Sequence, residues 1–330
     1  MSEFRRPHGD WEDTAMPQLR VCVLGAGSWG TTFAKVLTDA GCDVVLYARR
    51  PAIAQAISKS HRNPSYIKKV KLPEKLRATS DAGVALAHGQ DVVVLAVPSQ
   101  TLRSNVTQWA PLMGSTATVV SLAKGIELGS GMRVSEVIAQ VSGIETSRIA
   151  VVTGPNLAEE IALERPSATV VACSDPMRAQ LLQRACTTSY LRPYTNHDVI
   201  GCELAGAMKN VMALACGIAS GMKLGDNAIA SVIARGLAET MHLGHALGAH
   251  PMTFAGLAGL GDLVATCISP LSRNRTFGEL LGKGHTMNEA QLQNPQVVEG
   301  VTSSLALRDL AVSLGVEVPL TEQIVKICHE

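Results

Sequence analysis

Lys209 is the residue whose surroundings most clearly suggest catalytic chemistry. It lies in the stretch Gly201-Cys-Glu-Leu-Ala-Gly-Ala-Met-Lys-Asn210. At helical spacing its face is shared by small or apolar residues, namely Cys202, Ala205, Gly206, Met212, Ala213 and Cys216. Burial lowers the pKa of an ammonium, so Lys209 could donate a proton to an oxygen that gains negative charge when a ketone is reduced by hydride. The pattern equally allows a lysine whose stem lies on apolar surface while its ammonium reaches water.

Two later segments supply groups that could act with this lysine. Asp262, in Gly259-Leu-Gly-Asp, could pair with a catalytic ammonium and orient it. The run Ser272-Arg273-Asn274 predicts the start of a helix, where backbone N–H groups, a guanidinium and an amide could together hold a phosphate. A capped helix with a solvated basic end explains the same run equally well.

Three smaller signals accompany these segments. Lys124, in Ser-Leu-Ala-Lys-Gly, follows an apolar strand, and ligands of open α/β sheets bind at the carboxyl ends of strands. Gly154-Pro-Asn-Leu-Ala-Glu159 could contribute Gly154 and Asn156 to a site, although a helix cap formed by Asn156 with Glu159 is a strong alternative. Glu299 has no interpretation by itself.

A glycine-rich turn, Gly25-Ala-Gly-Ser-Trp-Gly30, joins a buried strand to a helix near the start of the chain. Gly25 would allow the tight turn, Gly27 would let a pyrophosphate approach the backbone, and Gly30 would let helix and strand pack closely. The negative phosphates would then meet unpaired N–H groups at the start of the helix. The motif in this position predicts a dinucleotide site, with an ordinary strand-to-helix turn as the alternative.

The specificity of that site is suggested by Ala48-Arg49-Arg50, about 20 residues further on. NAD-preferring folds usually have a carboxylate at this place, which would repel a 2′-phosphate, whereas two guanidinium groups attract it. We therefore expect NADPH to be preferred, with NADH possible. Two solvated arginines at the end of a strand are the alternative.

The elements that must position these residues divide the chain into two halves. Short apolar strands are predicted at residues 19–24, 43–48, 91–97, 118–122, 149–152 and 168–173. With helical segments between most of them, they predict a parallel, doubly wound Rossmann-type α/β domain over residues 18–197. Helical patterns at 201–222, 227–247 and from 280 onward predict a mainly helical substrate domain over residues 198–330, with the site between the two. Residues 1–17 are expected to be disordered or loosely ordered.

Composition limits the class of partner and the location. The chain has 330 residues, of which 46% are hydrophobic and 17% charged, and a formal net charge of +1, so we expect neither a nucleic-acid nor an anionic-membrane partner. No uninterrupted apolar stretch reaches about 18 residues, so no membrane helix is expected. Eight scattered cysteines without a CxxC pair indicate neither a metal site nor disulfides, and favour small buried side chains in a reducing cytoplasm.

Many of these segments together resemble the NAD(P)-dependent glycerol-3-phosphate dehydrogenase family, particularly its bacterial type. The matching segments extend, in family order, over roughly residues 21–300. They are GAGSWGTTFA, VVLYARR, AVPSQTLR, SLAKGIE, TGPNLAEEIA, ELAGAMKNVMALACGIASGMKLGDNA, RGLAE, GLAGLGDLVATC, SRNR and VVEG. The resemblance implies reversible reduction of dihydroxyacetone phosphate to sn-glycerol 3-phosphate, which feeds phospholipid synthesis, and a possible homodimer.

The resemblance also implies roles for individual residues. Lys209 matches the active-site lysine of the family. The positions that match substrate-handling residues are Lys124, Gly154, Asn156, Asp262, Ser272, Arg273 and Asn274. The positions that match cofactor residues, in addition to the glycine turn, are Ser28, Trp29, Arg49, Arg50, Lys124, Ala158, Arg273, Val297 and Glu299. The chain departs from the family pattern at Asn156-Leu157, where a Ser or Thr followed by Phe is common, and at Ala234, where Thr is frequent.

Two other functions fit parts of this pattern. One is a different two-domain dehydrogenase, of the hydroxyacid or ketopantoate type, which lacks the Ser-Arg-Asn-Arg phosphate signature. The other is a catalytically silent NADPH sensor. The presence of Lys209, Asp262 and Lys124 together argues against the sensor.

Overall fold

The computed structural model describes residues 18–294 and 297–330. The expectation of disorder for residues 1–17 lies outside the described residues. The described chain starts in an α/β half built on one sheet and ends in a half built of helices. The last strand ends at Asn196 and the next helix begins at Val199. The division of the chain at 197/198 stays a prediction.

One eight-stranded sheet forms the first half, with the order β3-β2-β1-β4-β5-β6-β7-β8. Its strands are β1 Arg20–Leu24, β2 Asp43–Tyr47, β3 Arg77–Thr79, β4 Val92–Leu95, β5 Thr118–Ser121, β6 Ile149–Thr153, β7 Ser167–Cys173 and β8 Leu191–Asn196. The first six strands pair in parallel, in the arrangement expected of a Rossmann-type fold. The predicted fold class is confirmed.

The sheet departs from the sequence prediction at its far side and at both edges. β7 runs antiparallel to β6, so the expectation of an all-parallel sheet is wrong there. An apolar strand reads the same in either direction, and the connection, which contains one short helix, is long enough to allow both directions. β3 and β8 lie at the edges and were missed because β3 has three residues and β8 contains Pro193, which edge strands tolerate.

Helices cover both faces of this sheet, since neighbouring strand residues alternate between two apolar cores. Val21 and Val23 face one core, and Cys22 and Leu24 face the other. The helices of this half are α1 Ser28–Asp39, α2 Pro51–Ser60, α3 Ala82–His88, α4 Leu102–Trp109, α5 Val134–Ser142, α6 Ala158–Ala162 and α7 Pro176–Ala185. Burial on both faces explains the nearly continuous apolar strands.

The second half packs around one long helix, α8 (Val199–Gly221). The other helices are α9 Asp226–Ala246, α10 Pro251–Ala255, α11 Asp262–Ile268, α12 Arg273–Gly282, α13 Met287–Gln293, α14 Glu299–Ser313 and α15 Pro319–His329. Side chains of α8 form the centre of the third apolar core, which α9, α11, α12 and α14 surround. The prediction of a mainly helical second half is therefore confirmed.

By length and composition, α8 could cross a bilayer. It has 23 residues, and its most apolar 18-residue window has a mean hydropathy of 1.4. The sequence prediction counted only uninterrupted apolar runs and therefore did not single out α8, which contains Glu203 and Lys209. In the fold, 78% of this window is buried inside the protein, which is the position of a core helix.

Candidate functional site

Two lysines share one buried aspartate where the two halves meet. Lys209 Nζ lies 2.8 Å from Asp262 Oδ1, and Lys124 Nζ lies 2.5 Å from Asp262 Oδ2. The Asp262 side chain is 1% exposed, while those of the lysines are 12% and 14% exposed. Lys209 therefore does not extend its ammonium into water, as the alternative interpretation of its pattern would require. We call these three residues the Lys–Asp–Lys cluster.

Three elements bring the cluster together. Lys124 follows β5 at its carboxyl end, Lys209 lies midway along α8, and Asp262 begins α11 directly after a π-helical turn, Leu257–Gly261. Gly206 allows α8 to cross this edge, because a Cβ there would lie 3.2 Å from Thr153 Oγ1 and 3.4 Å from Lys124 Cγ. The small residues on the Lys209 face thus serve close approach to the sheet.

Burial and mutual charge set the ionisation of this cluster. Burial lowers the pKa of Lys124 to about 8, with Lys209 adding to the effect and Asp262 opposing it. Burial alone would raise the pKa of Asp262, but the two ammonium groups outweigh it and hold that pKa below its usual value. Asp262 therefore stays ionised at neutral pH, and Lys124 titrates close to the physiological range.

The segment after β6 closes one side of the site. Lys124 Nζ donates to the Gly154 carbonyl at 2.9 Å, and Gly154 has the positive φ of 108° that favours glycine. Both polar atoms of the Asn156 side chain are buried without a hydrogen-bond partner among the described residues. The alternative of a cap by Asn156 is wrong, because α6 begins after Leu157 without a side-chain cap. Buried amide atoms are normally paired, so a ligand or an ordered water would have to supply the partners of Asn156.

The helix start that the sequence predicted at Ser272 is confirmed, and it fits both the phosphate site and the capped helix with a solvated basic end. Ser272 is the N-cap, and its Oγ accepts from the Arg275 N–H at 3.3 Å. The Arg273 side chain is exposed, and its guanidinium forms no hydrogen bond or ion pair within the described parts of the chain. First-turn N–H groups and a free guanidinium together favour an anion.

Asn274 has a partly structural task that the sequence did not reveal. Its Nδ2 donates to Asn210 Oδ1 and its Oδ1 accepts from the Gly300 N–H, both at 2.9 Å. The side chain, 8% exposed, thereby joins α12 to α8 and α14. One N–H of its amide remains for a ligand.

The glycine turn has the geometry that a dinucleotide site needs. Gly25 has a φ of 126°, and a Cβ at Gly30 would lie 2.0 Å from the Gly25 carbonyl oxygen. At Gly27 nothing lies within 4 Å of an added Cβ, and this residue begins α1 without a side-chain cap. Asn63 fixes the turn by donating to the Ala26 carbonyl at 3.0 Å and to Thr31 Oγ1 at 2.8 Å.

The remaining predicted cofactor residues lie around this turn or at the start of α14. Ser28 and Trp29 open α1, and the buried Trp29 Nε1 has no partner among the described residues. Ala158 opens α6, and its carbonyl accepts from Thr32 Oγ1 of α1 at 3.1 Å. Arg49 and Arg50 are exposed after β2.

Glu299 begins α14 and accepts from Ser99 Oγ at 2.7 Å. Burial raises its pKa, while Ser99 and Arg273 oppose the shift. Val297 is 52% exposed. Glu299 thus acquires surroundings that could not be inferred from its sequence position.

Sequence reasoning missed Thr266, whose Oγ1 accepts from Lys209 Nζ at 2.9 Å. Its position four residues after Asp262 in a helix was the available signal. Across residues 18–294 and 297–330, no set of three His, Cys, Asp or Glu side chains could hold a metal ion. All eight cysteines are free and buried, as predicted for small core side chains.

Comparison with known families covers nearly the whole chain. The family model for the NAD-dependent glycerol-3-phosphate dehydrogenase N-terminus matches residues 20–179, and the model for the C-terminus matches residues 198–330. The glycerol-3-phosphate dehydrogenase (NAD(P)+) of Nocardia farcinica is 59% identical over 94% of both chains. That of Streptomyces coelicolor is 59% identical over 94% of this chain and 93% of its own.

A solved structure agrees in fold over the same extent. The crystal structure of glycerol-3-phosphate dehydrogenase from Coxiella burnetii superimposes with a TM-score of 0.90 at 36% identity. The match covers 94% of this chain and 95% of that one. The two proteins therefore share the fold of both halves, including the carboxyl edge of the sheet where the halves meet.

Proposed function

This chain belongs to the NAD-dependent glycerol-3-phosphate dehydrogenase family, and from that premise we propose that its chemistry takes place at the Lys–Asp–Lys cluster. It is an NAD(P)-dependent oxidoreductase that interconverts dihydroxyacetone phosphate and sn-glycerol 3-phosphate. The observation that supports the assignment of the cluster is the number of N–H groups left free. Lys209 donates to Asp262 and Thr266, and Lys124 donates to Asp262 and Gly154, so each ammonium keeps one N–H.

The residues around the glycine turn fit a dinucleotide. The open space at Gly27 admits a pyrophosphate to the start of α1. Trp29, the residue after Ser28, has an indole N–H without a partner among the described residues. When bound, the nicotinamide cofactor supplies the hydride. Gly25, Gly27, Gly30, Ser28, Trp29 and Ala158 would hold it, with Lys124, Arg273, Val297 and Glu299 toward the other half.

Arg49 and Arg50 supply the argument for NADPH. Neither guanidinium has a carboxylate partner in the described parts of the chain, and both lie at the carboxyl end of β2. Unpaired cations at this place attract a 2′-phosphate. We expect the Arg49→Ala/Arg50→Ala variant to lose at least about tenfold in kcat/KM for NADPH and to change less than about twofold for NADH.

The two halves divide the work on the substrate. Arg273, with the backbone N–H groups at the start of α12 and the free amide N–H of Asn274, would bind the phosphate. The free N–H of Lys209 would donate a hydrogen bond to the carbonyl oxygen and then give up its proton as negative charge develops there. Asp262 and Thr266 hold Lys209 in place, and Lys124 adds a second cation. Gly154 and Asn156 would close the site around the substrate hydroxyl.

The deciding experiment measures NADPH oxidation with dihydroxyacetone phosphate for the parent and for Lys209→Ala. We expect kcat to fall by more than about a hundredfold, with NADPH binding retained in a fluorescence titration. Lys326→Ala, on the exposed face of α15, is the matched control and should keep the parental rate. An unchanged rate in Lys209→Ala would remove Lys209 from the mechanism.

The rivals from the sequence make different predictions for the parent. A hydroxyacid or ketopantoate type of dehydrogenase would turn over a substrate without phosphate, and a silent sensor would bind NADPH without turnover. The rates of NADPH oxidation with dihydroxyacetone phosphate and with dihydroxyacetone, measured separately, distinguish these outcomes.

We also propose a homodimer located in the cytoplasm, where the product would feed phospholipid synthesis. Eight free, buried thiols favour a reducing compartment. Light scattering at micromolar concentration tests the dimer, and cell fractionation tests the location.

A further inference from the structure

The short segment that follows β4, residues 96–100, touches both functional regions. β4 pairs with β1, which leads into the glycine turn, and with β5, which leads to Lys124. At its start, Ala96 packs so closely on the turn that a Cβ at Gly25 would lie 2.3 Å from the Ala96 carbonyl oxygen. The segment is therefore in contact with the cofactor turn before it reaches the loop of Lys124.

Ser99 makes the next contacts of this segment and is only 3% exposed. Its Oγ donates to Glu299 Oε2 at 2.7 Å, and its backbone N–H donates to Oε1 at 3.4 Å. The same side chain lies against Gly125, the neighbour of Lys124, where an added Cβ would be 2.5 Å from Ser99 Oγ. One serine thus touches the start of α14 and the lysine loop at the same time.

Gln100 holds the rest of that loop. Its Nε2 donates to the Ile126 carbonyl at 2.8 Å, and its Oε1 accepts from the Leu128 N–H at 3.0 Å. These two backbone bonds add to the bridge between Ile126 and Arg133 and to the pairing of Arg103 with Glu127, which also hold this loop. The position of Lys124 therefore depends on Gln100 as well as on Asp262 and Gly154.

We propose that Ser99 and Gln100 are positioning residues that fix the Lys124 loop and Glu299 relative to the glycine turn. Neither residue is required to touch substrate. Ser99 contacts both Glu299 and Gly125 and so fixes them relative to each other. Gln100 contacts the Lys124 loop but not Glu299. The inference rests on the proposed function, since it gives Lys124 and Glu299 their roles at the substrate and the cofactor.

The two positions differ in what their removal should change. Ser99→Ala leaves the buried Glu299 carboxylate without its hydroxyl partner, so we expect the Kd for NADPH to rise by about tenfold. It also loosens the loop, so kcat should fall by about tenfold. Gln100→Ala should lower kcat by a similar factor, while the Kd for NADPH should rise less than in Ser99→Ala, because Glu299 keeps its hydroxyl partner. NADPH fluorescence titration and initial rates measure the two quantities separately.

Ser104→Ala is the matched control, because among the described residues the Ser104 hydroxyl donates only to the Thr101 carbonyl in the same stretch of chain. It should keep both constants within about twofold. Ser99→Thr, which retains the hydroxyl, should recover most of the NADPH affinity. The melting temperature of each variant distinguishes a loss of folding from a loss of position, and the exposed Gln100 can be replaced even if Ser99→Ala fails to fold.

Unchanged kcat in folded Gln100→Ala would overturn the positioning of the loop. Unchanged NADPH affinity in folded Ser99→Ala would overturn the role of Ser99. A parent that binds NADPH but does not reduce dihydroxyacetone phosphate would instead contradict the proposed function, and the binding comparison for Ser99 could still be made.

Discussion

At the scale of single residues, Lys124 gives the site its pH dependence. Its pKa is lowered to about 8 by burial, and the charged groups that face it are Asp262 and Lys209. The ammonium is therefore charged below about pH 8 and neutral above it. If the charged form handles the substrate, kcat/KM for dihydroxyacetone phosphate should fall as the pH rises through 8.

A pH–rate profile from pH 6 to 10 tests this prediction. In Lys124→Arg the charge persists at all these values, so the alkaline decline near pH 8 should disappear even if the maximal rate is lower. A decline that stays at the same pH in this variant would assign it to another group.

Asp262 is the single negative charge between two ammonium groups. Asp262→Asn leaves both lysines without a counter-ion, so we expect the free energy of unfolding to fall by about 3 kcal/mol and kcat to fall by more than about a hundredfold. Differential scanning calorimetry and initial rates measure the two effects. Asp309→Asn, at an exposed pair with Arg308, should change either quantity little.

At this scale the sequence predicted the residue types well and their partners less well. The pairing of Lys209 with Asp262 was expected, because a buried ammonium requires a counter-ion. The second pairing, of Asp262 with Lys124, joins positions 138 residues apart, and no local pattern encodes it. The double use of Asn274 was hidden for the same reason.

At the scale of elements, the glycine turn separates two roles of glycine. Gly30→Ala would place a Cβ 2.0 Å from the Gly25 carbonyl, so we expect a lower melting temperature as well as weak NADPH binding. Gly27→Ala meets no atom within 4 Å and should fold normally, yet its methyl group occupies the space that the pyrophosphate needs. We expect its Kd for NADPH to rise by at least about tenfold.

Thermal unfolding and NADPH titration of these two alanine variants provide the test. Equal loss of stability in both would contradict the separation of roles. Loss of affinity without loss of stability in Gly27→Ala is the outcome that supports it.

Elements with a strong period were predictable, and those decided by tertiary contacts were not. The buried strands β1, β4 and β5 could be predicted from their nearly continuous apolar residues. The direction of β7 and the existence of β3 depend on what lies beside them. No side chain caps α6, so no capping residue marks its start after Leu157 in the sequence.

At the scale of the whole molecule, a buried carboxylate joins the two halves. Glu203 of α8 accepts from the Ser135 N–H at 2.7 Å and from Arg133 Nη1 at 2.6 Å, both at the start of α5. Burial raises its pKa against the opposing effects of Arg133 and Ser135. Because Glu203 precedes Lys209 by less than two helical turns, this contact also fixes the height of Lys209 above the sheet.

We expect Glu203→Ala to lower the free energy of unfolding by about 3 kcal/mol, because it leaves Arg133 without its buried partner. Calorimetry checks the stability, and kcat measured well below the melting temperature should fall as well. Glu317→Ala, at an exposed position, should be neutral in both. Full activity in a destabilised Glu203→Ala would limit the contact to a structural role.

The placement of the halves against each other was the least predictable feature. The apolar strands of the first half and the helical pattern of the second half each predict a core. Neither pattern indicates which helix crosses the carboxyl edge of the sheet. Gly206 was noted only as part of the face around Lys209, and only the fold identifies Thr153 and Lys124 as what α8 approaches there.

The burial of α8 depends on chain that is made after it. Its covering helices α9, α11, α12 and α14 all follow it in sequence, and the last of them ends at Ser313. At the usual rate of translation, roughly ten seconds pass between the synthesis of Gly221 and that of Ser313. During that interval α8 can already contact β6 and the start of α5, but the apolar surface that these four helices cover is still open to a holding chaperone.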